Sequence, residues 1–279
     1  MFILQYYLLC VLIVESSTKE SPLRIIGGSD AQEGQYPFVI RLESQIKRSG
    51  NSTYHKHLCS GTALSSTWVL TAGHCASVVL KYRLKMVVRY GRVEHPPDYE
   101  DTFSKVLLTI IHPLYSYKFE ELHITPNKND MALLKTTPMK VKRFCKLSSV
   151  DFFSLYGYEA VLAGYGITTT KLPDGTILTN SSLNLLKPLQ ILKVLMYKCG
   201  QNFLRPGFCL APKCGRKMTS CPGDSGSPLI HPSGVVGVLS LAELTTDCLY
   251  PTINSRVSLV GVVLPISPYI EWILSHVTA

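Results

Sequence analysis

The chain has 279 residues, 46% of them hydrophobic and 17% charged, with a formal net charge of +9 and nine cysteines. That composition supports a sizeable core in one large domain or two small ones and excludes an intrinsically disordered chain. The positive balance suits acidic partners or anionic surfaces, but no Lys/Arg stripe with interleaved aromatics is present, so no nucleic-acid partner is expected.

The chain opens with an apolar run, Phe2–Val14, too short to span a bilayer comfortably and followed by Glu15-Ser16-Ser17-Thr18. It reads as a secretory signal peptide over residues 1–16, although no Lys or Arg precedes the apolar core. No later segment reads as a membrane anchor, so a secreted, extracellular protein is expected. Cys10 leaves with the signal. The even set of cysteines that remains implies disulfides in an oxidising compartment. No metal site is expected, because Cys209 and Cys214 have no second ligand pair nearby in sequence.

Short runs rich in Val, Ile, Leu and Tyr, separated by Gly and Pro turns, predict an all-β fold. Strands are predicted over Lys85–Val93, Lys105–His112, Met131–Lys135, Glu159–Ala163 and Val235–Leu241. Asn51-Ser52-Thr53 and Asn180-Ser181-Ser182 match the N-glycosylation sequon in polar stretches. Thr169–Asn180 is polar, with a turn at Pro173-Asp174-Gly175, and Pro232-Ser233-Gly234 reads as a hairpin turn. Ser267 is the predicted cap of a final helix, with Pro268 at its first position and Tyr269, Ile270, Trp272 and Ile273 on its apolar face.

Peptide hydrolysis needs a nucleophile, a base to take its proton, a group that orients the base, and donors for the developing oxyanion. Three segments supply these parts in the order His, Asp, Ser. They are Trp68-Val69-Leu70-Thr71-Ala72-Gly73-His74-Cys75, Asn129-Asp130-Met131-Ala132-Leu133, and Cys221-Pro222-Gly223-Asp224-Ser225-Gly226-Ser227-Pro228. A lone Ser or His would mean little; the three segments together, in this order, do not arise readily by chance. The competing G-x-S-x-G nucleophile elbow is rejected, because Ser227 stands at its fifth position and the order Ser, Asp, His is absent.

From Ile25 to the C-terminus the chain resembles the trypsin/chymotrypsin family of serine proteases. The resemblance implies two packed six-stranded antiparallel β-barrels with a C-terminal helix, split near residues 140–155, in a protease domain covering 25–279. It implies that Ser225 attacks the scissile carbonyl, His74 shuttles the proton and Asp130 orients His74. Gly223 and Ser225 would donate their N–H groups to the oxyanion. Arg24-Ile25-Ile26-Gly27-Gly28 is similar to the family's activation site. Residues 17–24 would then be a propeptide, cut after Arg24 by an activating protease, and the new Ile25 ammonium would pair with Asp224. Bridges Cys59–Cys75, Cys199–Cys209 and Cys221–Cys248 are implied. A further family bridge would join the positions of Ala160 and His231, where both cysteines are missing together. Cys145 and Cys214 are left open.

The resemblance places Thr219 at the base of the specificity pocket, beside Ser220, where a neutral side chain disfavours Lys or Arg. Ser240 and Ala242 line the walls with Gly261, which leaves an open pocket for Phe, Tyr, Leu or Met. If Thr252 is the wall residue instead, the pocket narrows to suit Ala or Val. Tyr165, Leu241 and Pro222 depart from the family pattern without removing a catalytic atom. Arg92 stands at the calcium-loop position, so no calcium is expected, and no cofactor. Polypeptide substrates, protein protease inhibitors and a monomeric state complete the expectation. A proteolytically weak or inactive homologue acting as a binding protein or cofactor is the alternative.

Overall fold

The structure is a computed structural model that describes residues 28–47, 53–91, 103–116, 119–120, 123–124, 128–166, 170–171, 177–178, 188–200, 206–212, 219–242 and 259–277. The first strand, β1 (Ser29–Asp30), is followed by β2 (Val39–Lys47), β3 (Thr53–Ala63), β4 (Trp68–Thr71), helix α1 (Gly73–Lys81), β5 (Lys85–Arg89) and β6 (Phe103–Ile111). A two-residue hairpin, β7 (Phe119–Glu120) with β8 (His123–Ile124), precedes β9 (Ala132–Thr136). Strands β2-β3-β4-β9-β6-β5 close into an antiparallel barrel.

The second half contains β10 (Glu159–Gly164), the hairpin β11 (Thr170–Lys171) with β12 (Ile177–Leu178), β13 (Gln190–Lys198), β14 (Phe208–Pro212), β15 (Pro228–His231), β16 (Gly234–Ala242), β17 (Gly261–Pro265) and helix α2 (Ile270–Val277). Its strands run in the order β13-β10-β15-β16-β17-β14, and pairing of β14 with β13 closes a second six-stranded barrel. Strand alternation fills this barrel. Along β13, Leu192, Val194 and Met196 are buried while Lys193 and Tyr197 are exposed, because successive side chains leave opposite faces of a strand. They meet Leu162, Phe208, Leu210, Leu229, Val236 and Val263 in one core.

Each end of the described chain crosses to the other barrel. β1 pairs with β13 of the second barrel, Ser29 opposite Ile191. From the C-terminal segment that follows β17, Ile266, Tyr269 and Ile273 join the core of the first barrel. His112, just past β6, packs edge-on against Tyr269 at 5.3 Å and Trp272 at 4.9 Å. These crossings hold the barrels together.

The strand predictions hold in type and shift at their ends. The first ends at Arg89, and its predicted end at Val93 lies outside the described residues, as does the turn at 173–175. The 232–234 turn joins β15 to β16, with His231 opposite Gly234. The helix cap is corrected. Ser267–Tyr269 form a 3₁₀ turn entered from Ile266, so Ser267 is already inside it and makes no cap bond. Its hydroxyl instead accepts from the Phe152 N–H at 3.2 Å.

Disulfides join Cys59 to Cys75 and Cys199 to Cys209. Cys221 is also disulfide-bonded, to a partner outside the described residues. Cys145 is a free thiol, pushed up to about 12 by burial.

The first barrel also buries an ionic cluster that the sequence pattern did not announce. Arg41 and Glu43 on β2 and Arg89 on β5 are almost wholly enclosed. Glu43 Oε1 lies 3.2 Å from Arg41 Nε, and Glu43 Oε2 lies 2.9 Å from Arg89 Nε. His55 Nδ1 lies 3.3 Å from Glu43 and 2.9 Å from an Arg89 nitrogen. Burial opposes the charge on Glu43, but His55 and the two guanidinium groups outweigh it and hold the carboxyl at about 2. With its folded value below its unfolded one, Glu43 stabilises the fold fully above about 4.5, and the contribution is lost as pH falls toward about 2. Glu43→Gln should destabilise the protein by about 3–5 kcal/mol at neutral pH and flatten the decline in stability between those limits, as measured by urea denaturation across a pH series.

Candidate active site

Helix α1 begins at Gly73, and its first N–H groups have no intrahelical partners. Ala72, at the cap position, offers no side-chain acceptor. Asp130 fills that role from the loop before β9, its Oδ1 accepting from the His74 N–H at 2.7 Å. Its other oxygen lies 2.8 Å from His74 Nδ1 and accepts the Ser240 hydroxyl at 2.6 Å. Asp130 is fully buried. Burial pushes its pKa up, but the His74 imidazole, the Ser240 hydroxyl and the His74 N–H reverse that and bring it below the ordinary carboxylate range.

The loop carrying Asp130 is fixed in turn. Asn129 takes a left-handed φ of 50°. Its side chain donates to Leu114 O at 2.8 Å and accepts from the Tyr269 hydroxyl at 2.8 Å. Burial pushes Tyr269 up to about 12, so its hydroxyl keeps the proton that it donates.

Ser225 lies on the turn before β15, half-buried, between the exposed Pro222 and the buried Ser227. It makes no hydrogen bond to His74; His74 Nε2 lies 3.6 Å from Cys75 Sγ. Such bonds are often long or open in a site without substrate. Gly223 has a φ of +93°, which only glycine adopts freely, and an added Cβ would stand 2.8 Å from the His57 ring. The Gly223 carbonyl receives His57 Nε2 and the Ser60 hydroxyl, each at 3.1 Å. No described residue accepts the N–H of Gly223 or Ser225. The turn therefore carries two donors and a hydroxyl without partners among the described residues.

Asp224 is buried beneath this turn and accepts from Gly166 N–H at 2.6 Å and Cys221 N–H at 2.9 Å. Thr219 and Ser220 are fully buried, with Ser220 Oγ donating to Val260 O at 2.5 Å. Ala242 stands opposite Gly261 across β16 and β17. A Cβ on Gly261 would sit 2.9 Å from Ser220 Oγ, so the three residues share one corner of the second barrel. Arg24, Ile25, Asn51, Asn180, Cys214, Cys248 and Thr252 lie outside the described residues, as does Arg92. Cys59, His74 and Cys75 cluster within 4.8 Å, but both sulfurs are tied in one disulfide and offer no thiolate to a metal.

The sequence pattern missed two participants and a further role of a third. Ser240 was read as a pocket wall; its hydroxyl also donates to Asp130. His57 and Ser60 reach Gly223 across the barrel interface, and a contact between residues so far apart in the chain leaves no local signal. Ser240→Ala removes a charge-assisted donor and should lower stability by about 1.5–3 kcal/mol at neutral pH. Because the folded Asp130 pKa is depressed, that loss should shrink as the pH falls and Asp130 takes up a proton, as followed by urea denaturation at stepped pH.

Comparison with known proteins places this geometry. A family model described as Trypsin matches residues 25–273. Rat (Rattus norvegicus) granzyme M is 30% identical over 258 residues, covering 90% of this chain and 88% of its own. Trypsin 5G1 of Aedes aegypti is 29% identical over 84% of this chain and 81% of its own. Serine protease SSP1 of Scolopendra subspinipes is 26% identical over 92% and 84%. With the paired barrels and a match that takes in nearly the whole chain, the protein belongs to the trypsin family and is a serine endopeptidase.

Proposed function

We propose that the protein is a secreted endopeptidase that works through His74, Asp130 and Ser225, is made as a zymogen cut after Arg24, and selects uncharged side chains. The observation that carries this reading is the buried Asp130 carboxylate, held by His74 at 2.7 and 2.8 Å and by Ser240 at 2.6 Å. A carboxylate in that position fixes the imidazole tautomer and stabilises the imidazolium that forms when His74 accepts a proton.

In the proposed reaction, Ser225 Oγ attacks the scissile carbonyl carbon while its proton passes to His74 Nε2. The carbonyl oxygen becomes an oxyanion and takes hydrogen bonds from the N–H groups of Gly223 and Ser225, which have no other described acceptor. Collapse breaks the C–N bond, and His74 gives its proton to the leaving amine. Water, deprotonated by His74, then releases the acyl group and regenerates Ser225.

Activation follows from the second buried carboxylate. Asp224 has two backbone donors and lies directly beneath the catalytic turn. An ammonium freed at Ile25 and buried there would need a carboxylate partner, and pairing with Asp224 would hold the turn in this arrangement. The signal peptide over 1–16, the propeptide over 17–24 and glycans at Asn51 and Asn180 belong to the same reading of a secreted zymogen. Among the described residues no helix is long and apolar enough to cross a membrane. The partners are polypeptide substrates, an activating protease and protein inhibitors, with the enzyme acting as a monomer.

The neutral Thr219 offers a substrate cation no charge-assisted partner. The position of Gly261, opposite Ala242 and against Ser220, favours it as the wall residue and hence an open pocket. Cutting the purified zymogen after Arg24 and profiling it against a peptide library, with Ser225→Ala as control, should give Ser225-dependent turnover after Phe, Tyr, Leu or Met. Turnover restricted to Ala or Val would favour a narrowed pocket. Cleavage after Lys or Arg would overturn the reading of Thr219, and absence of Ser225-dependent turnover in folded, cleaved protein would favour a binding protein or cofactor.

A further inference from the structure

Ser60 sits on β3, in the first barrel, and is fully buried. Its hydroxyl donates to the Gly223 carbonyl at 3.1 Å and accepts the Tyr165 N–H at 3.0 Å. Its own N–H donates to the Ser225 carbonyl at 2.8 Å. Its carbonyl accepts the Thr71 hydroxyl at 2.8 Å, which anchors Ser60 to β4. One residue of the first barrel therefore reaches both Gly223 and Ser225, together with the segment that caps Asp224.

These bonds act on peptide planes. The Gly223–Asp224 peptide has its oxygen held by Ser60 and His57 and its N–H held by Cys221 O at 3.0 Å. The Ser225–Gly226 peptide has its oxygen held by Ser60 N–H and its N–H held by Leu239 O at 2.8 Å. Because each peptide is planar, the direction of the Gly223 N–H relative to these held planes is left to the two soft angles of Gly223, whose φ is +93°. Tyr165 and Gly166 close the arrangement. The Tyr165 N–H binds Ser60 Oγ and the Gly166 N–H binds Asp224 Oδ1 at 2.6 Å, so the same short segment ties Ser60 to the turn.

We propose that Ser60 is a positioning residue for the oxyanion donors: its hydroxyl, bridging the Tyr165 N–H and the Gly223 carbonyl, holds the Gly223 and Ser225 N–H groups in the orientation that the tetrahedral intermediate requires. This rests on the reading of those two groups as the oxyanion donors. Preorganised donors act only where charge develops, so their misalignment reduces kcat and leaves substrate binding nearly unchanged. Removing the hydroxyl takes one of the two donors from Gly223 O and strands the buried Tyr165 N–H.

The test uses the full enzyme cut after Arg24, with kcat normalised to active sites by fluorophosphonate titration. Ser60→Ala should lower kcat by roughly tenfold, a fraction of the effect of deleting an oxyanion donor outright, with KM within twofold of wild type. The inhibition constant of a peptidyl trifluoromethyl ketone, whose hemiketal mimics the oxyanion, should rise by the factor that kcat/KM falls. Ser60→Thr and Ser60→Val add nearly the same volume, and only Thr keeps the hydroxyl; kcat at least fivefold higher in Thr than in Val supports the proposal. Equal kcat in those two variants, or Ser60→Ala within twofold of wild type, overturns it. A wild-type enzyme without Ser225-dependent turnover would instead overturn the oxyanion reading, and this inference with it.

Discussion

A carboxylate sealed from water must find donors or lose its charge, and the arrangement of this molecule around Asp130 follows from that requirement. Asp130 takes two of its bonds from His74 at the start of α1 and a third from Ser240 on β16 of the other barrel. The residue before it is held by Tyr269, which precedes α2. A single buried charge thus brings together the first barrel, the second barrel and the C-terminal helix. The His74 ring is itself one of the donors that keep Asp130 ionised, so the electrostatic requirement of folding also fixes the orientation of that ring.

The interface between the barrels repeats this logic with hydroxyl, imidazole and backbone groups. Ser60, His57 and Thr71 of the first barrel contact the Gly223–Ser225 turn and its supports through hydrogen bonds. Close by, Arg41 lies 5.6 Å from the Tyr165 ring centroid and carries the link from the turn into the Arg41–Glu43–Arg89 cluster. Burial raises Tyr165 to about 12, partly offset by the charge on Arg41, so its phenol stays neutral in this setting. The polar interior of the first barrel is thereby linked, through Tyr165 and Ser60, to the Gly223–Ser225 turn of the second.

What the sequence disclosed followed the range of the interactions involved. Short apolar runs and turn residues located the strands, because alternation and turns act within a few residues. The Pro232-Ser233-Gly234 hairpin is an example. The segments around His74, Asp130 and Ser225 were legible because each carries a local motif, and their resemblance to one family supplied the barrel architecture that periodicity alone could not. The cap assigned to Ser267 was misplaced, since the turn begins one residue earlier and the hydroxyl answers Phe152 instead. Ser240, Ser60 and the Arg41–Glu43–Arg89 cluster were not legible in their observed roles. Their partners lie from 2 residues away to 163 and beyond, and even the nearest, Arg41 with Glu43, reads as ordinary strand charge until both faces of β2 are known to be covered.

The central claim is that Ser225 is the nucleophile of an enzyme assembled around Asp130, and the most direct measurement is covalent labelling. The protein would be treated with a fluorophosphonate before and after cleavage following Arg24, and the modified residue located by peptide mass spectrometry, with His74→Ala alongside. The account predicts stoichiometric modification of Ser225 alone, fast only after cleavage and slowed by at least a hundredfold without His74. Folded, cleaved protein that leaves Ser225 unmodified, or that is labelled at the same rate without His74, would contradict it.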